Sequence, residues 1–305
     1  MLLKKFRIAS RAILKRRRFL SLFAFLATLS AASANAQVLS RSVNELGSAL
    51  RNVFDLRPTD TTDWRLGVGP VASPAFEGSR DYKIRPAPVI SVRYRDVLTV
   101  DNNEVDFTAF NQVVDFGDVG QGKFEIGPSV NLDFGRHESD SLALRGLGNV
   151  GFSVELGAFV SFTLGPAAIN LEISQDVARG HKGADADLSA NFTLYRNERF
   201  AVGSVATLTW VSAAYMKSFF GITGTQSAKS GLATYRPGSG LKSGELGLVA
   251  TYELSPHWEI LGHATYKRML APAADSPLIA QRGDANQAVG SAFVVYKCRQ
   301  RLRRL

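Results

Sequence analysis

The sequence predicts an all-β protein, an antiparallel transmembrane β-barrel of about twelve strands (ten being possible) with short periplasmic turns and longer extracellular loops. Three observations predict it. An export signal opens the chain, segments of roughly ten residues with alternating polarity fill its body, and the connections between those segments are alternately short and long. Residues 123–136, KFEIGPSVNLDFGR, show the pattern most plainly. Phe124, Ile126, Pro128, Val130, Leu132 and Phe134 are apolar, and the residues between them are charged, polar or small. Side chains of a strand alternate between its faces, so the segment has one apolar and one wet surface. Alone, it fits either a sandwich strand facing a core or a barrel strand facing lipid.

Residues 1–18 carry eight basic side chains and no acid, residues 19–32 are apolar apart from Ser and Thr, and Ala34-Asn35-Ala36 is a small-x-small cleavage site. This is the three-part form of a secretory signal peptide, residues 1–36, cleaved after Ala36. Arg16-Arg17-Arg18 also resembles a twin-arginine signal, but a membrane barrel is not exported folded, so the triplet reads as an ordinary basic n-region. Removing the signal leaves 28 basic residues (36 − 8) against 27 acidic ones, so the formal +9 falls to +1. Five of the 28 lie in the last nine residues. No basic face remains for a nucleic acid.

The single cysteine, Cys298, excludes an intrachain disulfide. Beyond the signal no apolar run is long enough for a helical span, whereas a barrel dilutes its lipid-facing residues one in two. Residues 37–62 lack strand periodicity. Val43, Leu46, Leu50, Val53 and Phe54 recur at helical spacing behind Ser42, which predicts a short amphipathic helix in a periplasmic lead-in and linker.

Strands are expected near 63–72, 86–95, 97–101, 104–114, 123–136, 150–163, 167–176, 186–196, 199–211, 244–254, 258–268 and 286–298, giving a barrel over 63–298 and a basic tail over 299–305. Strand 97–101 is the shortest of these segments, and ten strands would survive its merger with its successor. The connections at 95–96, 164–166, 196–198 and 255–257 are tight, while 137–149, 177–185, 212–243 and 269–285 are long. With a periplasmic turn at 116–122 and a tight outer one at 101–103, the alternation holds around an even barrel and places both termini in the periplasm.

Motifs of chemistry are weak. Gly146-Leu147-Gly148-Asn149-Val150-Gly151 matches G-x-G-x-x-G, but a strand rather than a helix follows it, so it reads as a loop-to-strand junction. His137, His181, His257 and His263 are scattered. His181 with Asp185 and Asp187 can be drawn as metal ligands, although a solvated loop explains them more simply. The oxygen-rich run from Asp101 to Asp106 lacks EF-hand spacing and fits a turn. Glu172 and Asp176 share a strand parity that lines a polar lumen and do not argue for acid–base catalysis. No catalytic, cofactor-binding or metal-binding residue is assigned, and no cofactor is expected. The cluster Tyr215-Met216-Lys217-Ser218-Phe219-Phe220 in the longest loop fits a surface recognition patch, an inward-folded cap or an interfacial aromatic girdle.

Several short pieces, in order, resemble one family. They are Trp64-x-x-Gly67-x-Gly69, Gly78-Ser79-x-Asp81-Tyr82, Pro86-x-Pro88, Gly127-Pro128, Asp176 with Gly180-His181-x-Gly183, Tyr215 with Phe219-Phe220-Gly221, Ser230-Gly231-Leu232, Tyr235, and Ser276-Pro277. Together they resemble the MipA/OmpV family of Gram-negative outer-membrane proteins, over nearly all of 63–298. The resemblance implies an outer-membrane barrel and, for the founding member, a scaffold that joins the murein-degrading transglycosylase MltA to a peptidoglycan synthase. It implies no catalytic residues. One departure concerns the end: Gly290, Ala292, Val294 and Tyr296 keep the register of a terminal assembly strand, but Cys298 stands where such barrels usually carry an aromatic, and seven residues follow.

The expected function is therefore a non-enzymatic scaffold for murein-remodelling enzymes, with outer-membrane lipid and the barrel assembly machinery as further partners. The alternative is a narrow channel or small-molecule binder, and a soluble periplasmic β-sandwich is the third reading. In the barrel, Phe124, Ile126, Val130, Leu132 and Phe134 face lipid, while Glu125, Ser129, Asn131 and Asp133 face the lumen. Val130→Arg, placed near mid-membrane, is expected to cost roughly 2–4 kcal/mol of folding free energy in lipid. An unchanged folding yield would mean the faces are reversed.

Overall fold

The computed structural model of the protein describes residues 61–301. Twelve antiparallel strands make one closed sheet. They are β1 (Thr61–Pro74), β2 (Tyr82–Tyr94), β3 (Leu98–Asp101), β4 in two pieces (Glu104–Phe107 and Phe110–Asp115), β5 (Gln121–Asp133), β6 (Ser153–Leu164), β7 (Ala167–Asp176), β8 (Ala184–Arg196), β9 (Phe200–Val211), β10 (Gly240–Ser255), β11 (Trp258–Met269) and β12 (Asn286–Arg301). Each strand pairs with its neighbour in sequence, and β1 pairs with β12 from Thr61↔Arg301 to Ala72↔Gly290, closing the barrel. Every expected strand is present, so twelve rather than ten is the count. Strand β12 continues to Arg301, which takes the first residues of the expected tail into the wall. The helix expected in 37–62 lies outside the described residues, except that Thr61 and Thr62 open β1.

The break in β4 is a bulge. Its first piece pairs with β5 as Asp106↔Ser129 and its second as Phe110↔Ile126, so four steps on one strand oppose three on the other. The Gly127-Pro128 pair on β5 is what accommodates it. A Cβ on Gly127 would lie 1.8 Å from the Phe107 carbonyl oxygen, so only glycine lets the bulged backbone approach. The Leu132 N–H donates to the Asn103 carbonyl and the Ile126 carbonyl accepts from the Ala109 N–H, so even-numbered residues of β5 direct their backbone groups toward β4. The N–H that Pro128 lacks is therefore one that would have met the bulge.

Burial alternates along the strands. On β5, Ser129 and Asp133 are buried inside, Ile126 and Pro128 are exposed outside, and Val130 and Leu132 share the outer parity. Elsewhere the outer surface carries Leu66, Val68, Leu156, Ile169, Leu171, Leu188, Leu246, Leu248, Ile260 and Val294, all exposed, which is the apolar band of a membrane barrel. Tyr82, Trp210 and Tyr266 are exposed near the long-loop end, and Tyr94, Tyr195, Tyr252, Trp258 and Tyr296 near the short-turn end. Two such belts mark the two membrane–water interfaces. Cys298 keeps the outward parity of Val294 and Tyr296 and pairs with Trp64, so the strand register is unbroken where the usual aromatic is missing.

Gly127→Ala is expected to lower the unfolding free energy of the refolded barrel by about 1–3 kcal/mol, because the added methyl overlaps backbone that is fixed by two strands. Gly238→Ala, where a Cβ would meet nothing within 4 Å, should leave the denaturant midpoint unchanged.

Candidate functional site

The outer end of the barrel is covered by its own loops. Ser212 caps helix α1 (Ala213–Phe220), and its hydroxyl also accepts the Ala184 N–H at 2.9 Å, which fixes the helix over the mouth. Tyr215, Met216, Phe219 and Phe220 of α1 are buried with Phe76, Leu144, Leu147, Ile222, Leu232, Met269, Leu278 and Ile279, which come from four different loops or strand ends. Of the readings open for this aromatic run, the inward-folded cap is the one observed. Helix α2 (Gly224–Ser230) lies exposed on the cap, and helix α3 (Pro277–Arg282), started by Ser276-Pro277, buries Leu278 and Ile279 in it. Polar ties hold the loops to one another. Ser276 Oγ donates to the Phe220 carbonyl at 2.7 Å, Ser218 Oγ to the His181 carbonyl at 2.8 Å, and Arg136 Nη1 to the Phe219 carbonyl at 2.5 Å. Burial pulls the Arg136 guanidinium down to about 10, with Asp140 opposing the shift.

Beneath the cap the lumen has two unlike sides. On β1, β2 and β9–β12 the inward residues Val71, Ala87, Val89, Val205, Val249, Leu261, Phe293 and Val295 pack into a second apolar cluster. A uniformly polar lumen was expected; this half instead carries an apolar cluster, with Leu261 and Phe293 its largest members, among polar inward residues such as Glu245, His263 and Gln287. The other side, from β3 to β8, presents Asp101, Glu104, Asp106, Asp133, Glu155, Glu172, Asp185 and Asp187, laced by hydrogen bonds. Ser129 Oγ meets Glu172 at 2.8 Å, Asn131 Nδ2 meets Glu155 at 2.6 Å, and Ser174 Oγ meets Asp185 at 2.8 Å.

His181 is not in a solvated loop as expected. It is fully buried, and its partner is Glu155 rather than Asp185 or Asp187. Its Nε2 lies 2.7 Å from Glu155 and its Nδ1 accepts the Gly183 N–H at 3.1 Å, while its ring packs against Tyr215 at 4.8 Å between centroids. The same loop is folded around Asp176, whose carboxylate accepts N–H groups from Ala178, Arg179, His181 and Lys182. Asp133, Glu155 and His181 bring donor atoms within 4.8 Å of one another, as do Glu104, Asp106 and Glu172. In the first group, Gly135 N–H on Asp133, Asn131 on Glu155 and Gly183 on His181 already give each residue a protein partner, so the group reads as the anchor of the cap. The Gly146–Gly148 motif has a similar internal use: both N–H groups donate to the Glu138 carboxylate at 2.9 Å. Asn102, with φ +49°, turns the Asp101–Asp106 run into a tight hairpin. No sequence signal pointed to Glu155, because it sits on an ordinary alternating strand and its role depends on a loop that returns from the far side of β7.

At the short-turn end, which is periplasmic in outer-membrane barrels, the lumen opens as a vestibule of about 440 Å³ lined by Arg65, Arg93, Arg196, Glu253, Glu259 and Lys297 among others. Lys297 bridges Glu253 and Glu259, and Arg65 approaches Glu259 at 3.5 Å. The apolar cluster of the barrel middle forms its roof.

The family model for "MltA-interacting protein MipA" matches residues 66–298. The chain belongs to the MipA family. No curated protein matches the sequence. Among solved structures, the NanC porin is 12% identical over 78% of this chain and 100% of its own, with a TM-score of 0.37. An outer membrane channel from Pseudomonas putida F1 is 11% identical over 81% and 98%, at 0.38, and OprD from Pseudomonas aeruginosa 9% identical over 80% and 95%, at 0.33. At that identity the likeness says nothing about a solute. The pieces by which this MipA-family chain resembles its family fall on structural joints: Gly127-Pro128 at the bulge, Gly69 where a Cβ would meet the Ala292 carbonyl at 1.9 Å on the closing seam, Gly180-His181-x-Gly183 at the lumenal anchor, and Phe219-Phe220-Gly221 in the cap.

Burial alone would lower the His181 pKa, but the hydrogen bond and charge of Glu155, with Asp133 and Asp176, outweigh it and hold the pKa above its ordinary value. The Gly183 N–H on Nδ1 favours the neutral ring, and the three acids win. A raised folded-state pKa gives stability that is complete below the unfolded value of about 6.5 and is lost as pH rises through the folded value. The cap is therefore expected to loosen as pH rises above the unfolded value of about 6.5 and through the raised folded one, seen as faster proteolysis of the outer loops, and His181→Gln should remove that pH dependence.

Proposed function

We propose that this MipA-family barrel is a non-enzymatic adaptor of the outer membrane, whose periplasmic end receives murein-remodelling enzymes such as a lytic transglycosylase and a murein synthase. The observation that carries the reading is the buried cap. Sixteen apolar residues are sealed over the outer end of the lumen, while among the described residues the lumen opens at the opposite end as the charged vestibule. The family description names an interaction with such an enzyme, and the tight turns around the vestibule form a low rim on which a globular partner can sit. In this reading residues 1–36 direct export and are removed after Ala36, residues 37–62 add to the periplasmic surface, the barrel assembly machinery inserts the chain, and the outer apolar band contacts lipid. Affinity capture from solubilised envelope is expected to return a murein-cleaving enzyme, and reversing the vestibule charges Arg93 and Arg196 to Glu should release it. Capture that returns no periplasmic partner contradicts the proposal.

A second reading, a narrow channel, draws on the acidic side of the lumen, which would favour cations. Steady conductance of the purified barrel across a planar bilayer would support it in place of the adaptor.

A further inference from the structure

Strand β3 is only four residues long, so among the described residues two stretches of its neighbours are left with an unpaired edge. One is the outer half of β2. Pairing between β2 and β3 runs only from Ser91 to Tyr94, so residues 82–89 have β1 on one side and no strand on the other. The second is the periplasmic piece of β4. Pairing between β3 and β4 covers Glu104 to Phe107 alone, so Phe110–Asp115 has β5 on one side and no strand on the other.

The two edges are built differently. The Ile90 N–H donates to Asn102 Oδ1 and its carbonyl accepts the Asn102 N–H, so even-numbered residues of β2 face the gap, and two of these, Pro86 and Pro88, have no N–H to offer. That edge refuses another strand by its own sequence. The edge of β4 carries no such guard, because FNQVVD contains neither proline nor lysine. The Phe116 N–H donates to the Gly120 carbonyl across the hairpin turn, and counting back by twos assigns the backbone groups of Phe110, Gln112 and Val114 to β5. Those of Asn111, Val113 and Asp115 point into the gap. All six residues are exposed, with Phe110 at 50% on the outward face and Val113 at 40% on the inward one. The Phe110 ring lies 6.4 Å from Phe124 and the Phe116 ring 6.1 Å from Phe162, so the outward face belongs to the interfacial aromatic belt. An unguarded edge with an apolar residue on each face is a surface that a further strand fits.

The chain itself enters the barrel beside this edge. The Thr61 carbonyl accepts the Arg95 N–H at 2.9 Å, and the Val97 carbonyl, at the other side of the same turn, accepts the Thr108 N–H at 2.9 Å. The residues before Thr61 therefore arrive within two strand spacings of the open edge, about 10 Å. From Thr62 onward β1 is paired on both sides and has no edge to give. Just upstream stand Phe54, Asp55, Leu56 and Arg57, alternately apolar and charged, and the four Cα steps from Arg57 to Thr61 reach up to about 14 Å. We propose that residues 54–57 add to Phe110–Asp115 as a short antiparallel strand, with Phe54 and Leu56 on the outward face and Asp55 and Arg57 on the inward one. The direction agrees, since β4 runs toward the periplasm and a segment leading up into β1 runs away from it. A tethered segment acts at a millimolar effective concentration, so it holds the edge against a strand from a second copy or another protein. It also ties the residues upstream to the rim of the vestibule.

The test places the photo-crosslinking residue p-benzoylphenylalanine at Val113 of the full chain in lipid and maps the adduct. A crosslink within the chain to residues 53–58 is expected. Hydrogen exchange gives a second readout on the native side chains: the amides of Asn111, Val113 and Asp115 should exchange at least about tenfold more slowly in the full chain than in a variant lacking residues 38–57. The variant is scored only in its folded, heat-modifiable form, and if it does not fold the crosslink decides alone. Adducts to a second copy, to another protein, to lipid or elsewhere in the chain, or equal exchange in the two proteins, would overturn the proposal.

Discussion

Within hydrocarbon no water is present to satisfy a backbone N–H or C=O, so a sheet that crosses a membrane has to close on itself. The rest of this structure follows from how closure is achieved. The seam between β1 and β12 holds a continuous register from Thr61↔Arg301, and Gly69 lets the two strands approach where any Cβ would strike the Ala292 carbonyl. Where closure is locally relaxed, the chain changes residue type. The β4 bulge meets Gly127 and Pro128, and the edge of β2 from Tyr82 to Val89, which pairs with no strand on its β3 side among the described residues, carries Pro86 and Pro88.

Closure also creates an interior, and the two ends of that interior are treated differently. The outer end is buried under loops that carry their own apolar core, so they behave as a small domain fused to the barrel rim. His181 and Asp176 root that domain in the wall through Glu155 and a ring of backbone N–H groups. The inner end keeps ion pairs such as Lys297 with Glu253 and Glu259 in a concavity that, among the described residues, lies within short turns. The proposed adaptor role rests on this asymmetry.

The strands were legible because period-two alternation is a local property, and strand 97–101, short as it is, was visible for the same reason. The alternation of short and long connections was legible as counting. The cap was not, because Tyr215–Phe220 reads the same whether exposed, interfacial or folded inward, and only packing against Leu144, Met269 and Leu278 from other loops decides it. His181 looked like a loop histidine for a related reason: its partner Glu155 is 26 residues away, on a strand whose face is settled by closure. The apolar cluster in the lumen was missed because the inward residues of β1, β2 and β9–β12, among them Leu261 and Phe293, mix with polar ones along each strand, and only closure brings them against one another.

The central claim is that residues 61–301 form a closed barrel held in lipid by its outward parity. Its most direct test is electrophoretic mobility of the purified protein with and without boiling, on material that resists extraction of the envelope by high salt. A compact, faster-migrating unboiled form that stays in the membrane fraction is the predicted result. A protein released by salt alone, with one mobility at all temperatures, would contradict the account.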